Sequence, residues 1–352
     1  MDPEGAVFAK ETLVGSCGTC RYGVSAMQGH RDSMEDAHIA TATMLPPNHG
    51  LFVVLDGHGG DEASEFASEE LARILSDDPN FVAYTQRIQG NNKQMKNKNK
   101  MMKETIDLLE KAFTRSFVEM DRELYLNMCY GEEAGASSAG STAVATLVTP
   151  DLLVCANIGD SRCVLASSST SAPTSVTPCA LSEDHTPDLE AEEKRILDAG
   201  GSIEMGRVDG ELAVSRAFGD FELKDINGLM MDEYDPDDPD DVDQLLEYAK
   251  RQKVSAVPEI RVHQRNVTTD RFLVLACDGI WDVASNEDCV EWIADIIWHQ
   301  GQDDMGIVCE KLLDICLKQG SRDNMTIAIV LFEGGQKLLV KSGSGRATRK
   351  RR

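Results

Sequence analysis

The sequence predicts an α+β fold in which β-sheets pack together and helices cover them from outside. Three observations carry this. Strand-length apolar runs do not alternate strictly with helical patterns, which argues against a doubly wound parallel sheet. Two helical patterns follow one strand and then give way to a run of strands, the order expected of packed sheets with helices outside. Several strands are nearly all apolar, so they need cover on both faces.

The strands come first in the argument. Runs at 22–27, 38–43, 51–55, 142–149, 152–158 and 163–166 are rich in β-branched residues and bounded by short turns, and 259–263, 272–277 and 326–332 follow the same pattern. Helical periodicity lies between them. In "DEASEFASEELARILS", Ala63, Phe66, Ala67, Leu71, Ile74 and Leu75 share one face, with Asp61 placed to cap. In "KETIDLLEKAFTRSFVEMDRELYLNM", Ile106, Leu109, Phe113, Phe117, Met120 and Leu124 make a second stripe. "DLEAEEKRILDAGG" stops on Gly200 and Gly201. "SNEDCVEWIADIIW" opens with Ser285 and, three residues on, Asp288, a capping pair, and "MGIVCEKLLDICLKQG" adds a last helix. No repeat of 20–50 residues is present.

Composition narrows the function classes. No apolar run approaches the ~20 residues that cross a bilayer. The first residues lack a basic start followed by an apolar stretch, and no glycine follows the initiator Met, so neither a secretory signal nor an N-myristoylation pattern is expected. Ten cysteines stand mostly singly, which suits reduced thiols in the cytoplasm or nucleus. Cys17 and Cys20 form a C-x-x-C with no second pair to complete a zinc site. A formal net charge of −25 opposes binding to nucleic acid or an anionic membrane. The charge is unevenly spread: 87–103 carries only positive side chains, 232–247 only negative ones, and the tail "GRATRKRR" is basic. Both internal stretches are expected to be surface insertions.

The chemistry-bearing pattern is an aspartate at the end of an apolar strand, met three times. Asp56 ends "FVVLDG", Asp160 ends "LVCANIGD" and Asp278 ends "FLVLACDG". Asp323 precedes a strand in "GSRDNMT", and Glu35 and Asp36 follow the first strand in "GHRDSMEDAH". Carboxylates gathered at one sheet edge repel unless protonated or bridged by cations. An all-oxygen donor set favours Mg2+ or Mn2+ over zinc. Gly57 lets the backbone approach closely enough for its carbonyl to ligate beside Asp56. Two such ions can lower the pKa of a shared water and make a nucleophile at neutral pH. Arg31 could grip a phosphate, and His58 stands near enough to protonate a leaving oxygen.

The ordered series "RYGVSAMQGHRDSMEDAH", "FVVLDGHGG", "GSTAVATLV", "NIGDSR", "DHTPD", "RVDGELAVSRAFGD", "LACDGIWDV" and "GSRDNMT" resembles the motifs of the metal-dependent type 2C (PPM) Ser/Thr protein phosphatases. The resemblance spans 20–333. It implies a four-layer αββα sandwich with two central, mainly antiparallel sheets, and hydrolysis of phosphoserine and phosphothreonine by a water bridging two Mg2+ or Mn2+ ions. It also implies roles. Asp56 bridges both ions, Gly57 ligates one through its carbonyl, Asp278 and Asp323 hold the other, and Glu35 and Asp36 complete the site, partly through waters. Asp160 and Asp282 match a weaker third ion site, Arg31 the phosphate-binding arginine, His58 the acid, and Asn324 a residue orienting Asp323. His30 stands where relatives carry a bulky aromatic. The expected division is an N-terminal extension 1–19, a catalytic domain 20–333 with a basic insertion 87–103 and an acidic flap insertion 225–253, and a basic tail 334–352. The expected partners are phosphoproteins, basic ones included, engaged by a monomer. The rival expectations are a catalytically silent binding module of the same fold and a two-metal hydrolase of other phosphoesters.

Overall fold

The computed structural model describes residues 6–41, 43, 45–90, 98–130, 138–229 and 234–346. In chain order the longer strands are β1 (Glu11–Cys17), β2 (Cys20–Met27), β3 (Ala37–Thr41), β4 (Gly50–Leu55), β5 (Ala143–Val148) and β6 (Leu152–Ile158). They continue with β7 (Arg162–Ser167), β8 (Thr177–Ala180), β9 (Glu259–Gln264), β10 (Asp270–Ala276) and β11 (Met325–Leu331). The helices are α1 (Glu62–Asp77), α2 (Pro79–Gly90), α3 (Lys98–Tyr130), α4 (Glu190–Asp198) and α5 (Pro239–Ala249). α6 (Asp278–Trp281), α7 (Asn286–Ala294), α8 (Met305–Gln319) and α9 (Glu333–Arg346) complete the set. One sheet has the order β1-β2-β11-β10-β7-β8 and the other β9-β6-β5-β4-β3. Every pairing in both is antiparallel.

The period-two alternation of a strand explains why these runs are apolar throughout. On β4, Leu51, Val53 and Leu55 pack with Leu71, Leu75, Phe113 and Phe117 of α1 and α3. The intervening Phe52 and Val54 face the other sheet, meeting Leu273 and Leu275 of β10. On β10 the alternate residues Phe272, Val274 and Ala276 turn outward to Ile293, Val308 and Leu312 of α7 and α8. The result is four layers: α1–α3, sheet, sheet, then α6–α8. Truncating a centre residue such as Leu275 to Ala should cost about 2–5 kcal/mol. No helix of the described residues is long and apolar enough to cross a membrane.

The structure departs from expectation at particular elements. β1 lies outside the expected strands: its first four residues are exposed, so no apolar alternation marks it, yet it pairs with β2 from Glu11↔Ala26 to Cys17↔Cys20. The first sheet therefore begins before residue 20. Asp61 stands at the start of α1 but its side chain accepts no capping hydrogen bond. Ser285 and Asp288 do form the reciprocal capping box of α7. The acidic stretch is not simply a solvated insertion. Asp238 caps α5 by accepting from the Asp240 amide, Pro239 fills the first turn, and Val242, Leu245 and Ala249 are buried. Leu245 and Ala249 pack with Val118, Tyr125 and Leu229. Asp232 and Glu233 of the acidic stretch, residues 91–97 of the basic one, the first five residues and the last six lie outside the described residues.

Candidate active site

Strand ends of both sheets meet at one edge, and backbone bonds fix them there. The Asp56 carbonyl, just past β4, accepts from the Thr142 amide at 2.9 Å. The Asp56 amide donates to Thr142 Oγ1 at 3.3 Å, and Thr142 Oγ1 pairs with Ser161 Oγ at 2.9 Å. That hydroxyl pair ties Asp56 to the β6–β7 turn carrying Asp160. Asp278 opens α6 directly after β10 and donates its amide to Asp56 Oδ2 at 3.4 Å. Gly57 is obligatory here: a Cβ would stand 2.2 Å from the Glu35 carbonyl oxygen.

Arg31, Glu35, Asp56, Gly57, His58, Asp160, Asp278, Asp323 and Asn324 line one cleft of about 550 Å³. Carboxylate oxygens of Asp56, Asp160 and Asp278 lie within 4.8 Å of one another. Asp36 is placed with them: its carboxylate lies within 4.8 Å of an oxygen of Asp56 and of Cys277 Sγ, and accepts from Thr326 Oγ1 at 2.7 Å. Asp282 sits one helical turn past Asp278, outside the cleft lining.

Burial, and then mutual repulsion, raises these acids. Asp278 is pushed up to about 7, by burial first and then by the charges of Asp160, Asp323 and Asp282. Asp160 and Asp36 rise to about 6, chiefly through burial. Asp56 is pushed well above the usual carboxylate range by burial and by Asp36, Asp278 and Asp160. Asp282 is raised as well, by burial and by Asp323. Oxygen donors that repel one another across a cleft this short suit a hard divalent cation, whose charge removes the penalty. The residues fit such a metal.

The cationic partners lie alongside. Arg31 Nη2 holds Asp323 Oδ2 at 2.6 Å while most of the arginine stays exposed to the cleft. His58 Nε2 lies 2.9 Å from both carboxylate oxygens of Asp220. Burial disfavours the imidazolium, but the Asp220 hydrogen bond and charge, with Asp160 and Glu35, raise the His58 pKa above its ordinary value. Asn324 does more than orient its neighbour. Its amide N–H donates to Asp323 Oδ1 at 2.8 Å, but its side chain grips the opposite loop. Oδ1 accepts from the Glu35 amide at 2.8 Å, and Nδ2 donates to the carbonyls of Gln28 (2.8 Å) and Ser33 (2.9 Å).

Several contributors lie beyond the residues that the sequence singles out. Asp220, buried with a left-handed φ of 50°, is the histidine's partner, and Gly219-Asp220 repeats the Gly-Asp dipeptide of 159–160. Ser64 Oγ holds the Glu35 carbonyl at 2.5 Å. Arg207, Glu211 and Leu212–Val214 form the far wall of the cleft, and none of the described residues of 234–247 reaches it. The acidic segment is instead anchored on α3, through the Pro236 carbonyl to Arg115 and through Tyr234 to Glu119 Oε2.

The fold is an αββα sandwich whose strand ends gather carboxylates at one open cleft. The profile of the family described as protein phosphatase 2C matches residues 20–325, and the chain belongs to that family. It is 38% identical over 327 residues to protein phosphatase ppm-1.A of Caenorhabditis elegans, covering 92% of this chain and 61% of that protein. It is 32% identical to protein phosphatase 1A of Homo sapiens, covering 94% of this chain and 75% of that one. Among solved structures, a serine-threonine phosphatase 2C from Toxoplasma gondii superposes with a TM-score of 0.70 at 23% identity, over 92% of this chain and 99% of that one, which supports the fold.

Proposed function

We propose that this chain is a Mg2+- or Mn2+-dependent protein phosphatase that hydrolyses phosphoserine and phosphothreonine in proteins. The observation that carries the reading is convergence: acids from separate segments, an arginine and a histidine line one cleft, in a chain of the protein phosphatase 2C family. Asp56, the Gly57 carbonyl, Asp278 and Asp323, with Glu35 and Asp36, would hold two divalent ions, and Asp160 and Asp282 a weaker third. When bound, such ions supply Lewis-acid activation of water at neutral pH.

The chain's own residues do the rest. Arg31 presents a guanidinium already oriented by Asp323, so binding a phosphate loses little side-chain freedom. His58 is held by Asp220 through Nε2, which leaves its second ring nitrogen to carry the proton for the departing serine or threonine oxygen. The Asp220 hydrogen bond and charge favour the protonated ring, as a general acid requires. Asn324 and Ser64 fix the Glu35 loop against the cleft. The cysteines of the described residues are free, which fits a reducing compartment, so we place the protein in the cytoplasm or nucleus; we take it to act as a monomer.

The test is phosphate release from phosphoserine, phosphothreonine and phosphotyrosine peptides and from a DNA phosphodiester, with Mn2+ and with chelator. Turnover of the first two alone, abolished by chelation, is expected. Preferential cleavage of the diester, or no turnover of any substrate, overturns the proposal.

A further inference from the structure

Cys17 and Cys20 are the last cross-strand pair of the β1–β2 hairpin, directly opposed across the exposed Gly18-Thr19 turn. Gly18 adopts the left-handed φ of 56° that so tight a turn needs. Opposed residues of an antiparallel pair stand about 4.5–5.5 Å apart at Cα, inside the roughly 4.4–6.8 Å that a disulfide accepts. The two thiols are hydrogen-bonded to each other.

A fixed cation distinguishes the two sulfurs. Arg265 Nη2 donates to Cys20 Sγ at 3.5 Å. The guanidinium is held in place by a 2.7 Å bond from Nη1 to the Thr149 carbonyl and by stacking 4.5 Å over the Phe332 ring. The Cys17 hydrogen bond, and then Arg265, hold the Cys20 thiol below its ordinary pKa against the effect of burial. The same hydrogen bond, with burial, pushes the Cys17 thiol up. Burial likewise pushes up the thiols of Cys163, Cys277, Cys289 and Cys309. A nucleophilic thiolate with a protonated thiol beside it is the arrangement of a reactive dithiol.

We propose that Cys17 and Cys20 form a reversible dithiol–disulfide modification site that hydroperoxides oxidise. The Cys20 thiolate attacks one peroxide oxygen, the O–O bond breaks, and the leaving hydroxide takes up a proton to become water. Cys20 is then a sulfenic acid. The Cys17 sulfur attacks the Cys20 sulfur, the S–S bond forms, and the hydroxyl departs with the Cys17 proton as a second water. Two thiols give up two electrons and one peroxide accepts them. Both thiols are buried, at 4% and 2% exposure, so oxidation requires the exposed Gly18-Thr19 turn to open for a small peroxide to enter. A disulfide closing so short a loop adds little stability and is readily reduced, which suits a transient modification in a reducing compartment. It would staple the far end of the edge strand whose N-terminal approach packs on the loop leading to Arg31. There Val7 pairs with Gly29 through two 2.9 Å bonds and Phe8 packs edge-on against His30 at 5.1 Å, next to Arg31.

Trypsin cuts after Lys10 and Arg21, so both cysteines fall in one peptide, 11–21. The full chain is treated with a small excess of hydrogen peroxide, denatured, alkylated, digested and weighed by mass spectrometry. The expected product is peptide 11–21 with neither cysteine alkylated and two hydrogens lighter than the reduced form, restored by dithiothreitol. In Cys17→Ser, oxidation should stop at a sulfenic acid on Cys20 that dimedone traps. Should 11–21 stay fully alkylatable at doses that oxidise the exposed Cys179, the proposal fails. It fails equally if both sulfurs pass to sulfonic acid with no disulfide; the wild-type measurement decides even where a variant does not fold.

Discussion

Asp278→Asn should stabilise the metal-free protein at neutral pH while destroying its metal site. In the fold the Asp278 carboxyl titrates at about 7, against an ordinary 3.8, because burial and the charges of Asp160, Asp323 and Asp282 oppose ionisation. A carboxyl raised in the folded state keeps a proton that the unfolded chain has released. Stability therefore falls as pH rises from about 4 through about 7. Roughly 3 units at about 1.4 kcal/mol each sets an upper bound near 4 kcal/mol at pH 8. The repulsion is shared with the neighbouring acids, so about half of that, ~2 kcal/mol, is the expected gain from neutralising one of them. With an unfolding entropy of about 2.1 cal/mol/K per residue over the chain, Tm should rise by roughly 3 °C. Differential scanning calorimetry in EDTA at pH 8 and pH 5 reads this directly. The gain should shrink to less than half at pH 5, and saturating Mn2+ should reverse its sign by stabilising only the wild type. An Asn variant less stable than wild type in EDTA at pH 8, or a gain of equal size at both pH values, would refute the reasoning.

Further outcomes follow from individual contacts. Gly57→Ala places a Cβ 2.2 Å from the Glu35 carbonyl; it should cost about 1–3 kcal/mol by calorimetry and abolish Mn2+ binding, and retention of both would show that the strand can give way. His58→Gln should lower kcat on a phosphoserine peptide by about 10²-fold and far less on an aryl phosphate, whose leaving group needs little protonation. Equal losses on the two substrates would assign His58 another role. Neutralising the exposed Asp237, Asp240 and Asp243 to Asn should raise KM for basic phosphopeptides at low salt only, leaving aryl phosphate turnover unchanged. Because α5 docks on α3 and not at the cleft, an unchanged preference for peptide charge would leave the segment a packed surface helix and nothing more.

The legible parts of this protein are those where one physical rule dominates. Strands such as 51–55 and 272–277 are apolar on both faces because both faces are covered, and that pattern survives without coordinates. The acids stood out because a carboxylate after such a run has a cost that demands a partner. β1 escaped notice because an edge strand buried on little of its surface carries no alternation. α5 was obscured by its charge: the buried Val242, Leu245 and Ala249 are outnumbered by acidic and polar residues that face water. Asp220 could not be paired with His58 from sequence, since the contact spans 162 residues and depends on a short pairing of 218–219 with 140–141. Asn324 was legible only in its local part, the backbone N–H that holds Asp323. Adjacency to Asp323 suggested a local role, whereas its amide bridges to the loop of Gln28, Ser33 and Glu35 across the sheet edge.

The central claim is that the strand-end acids form a divalent-cation site on which phosphoester hydrolysis depends. Isothermal titration of Mn2+ into chelator-stripped wild type and Asp56→Asn, with phosphoserine-peptide turnover followed in the same samples, tests it most directly. Asp56 is shared by the Asp56–Asp160–Asp278 group and the Asp36–Asp56–Cys277 group, so its neutralisation should remove tight Mn2+ binding and turnover together while the melting profile in EDTA stays cooperative. Turnover by the stripped wild type, or an Asp56→Asn protein that keeps both Mn2+ binding and activity, would contradict the account.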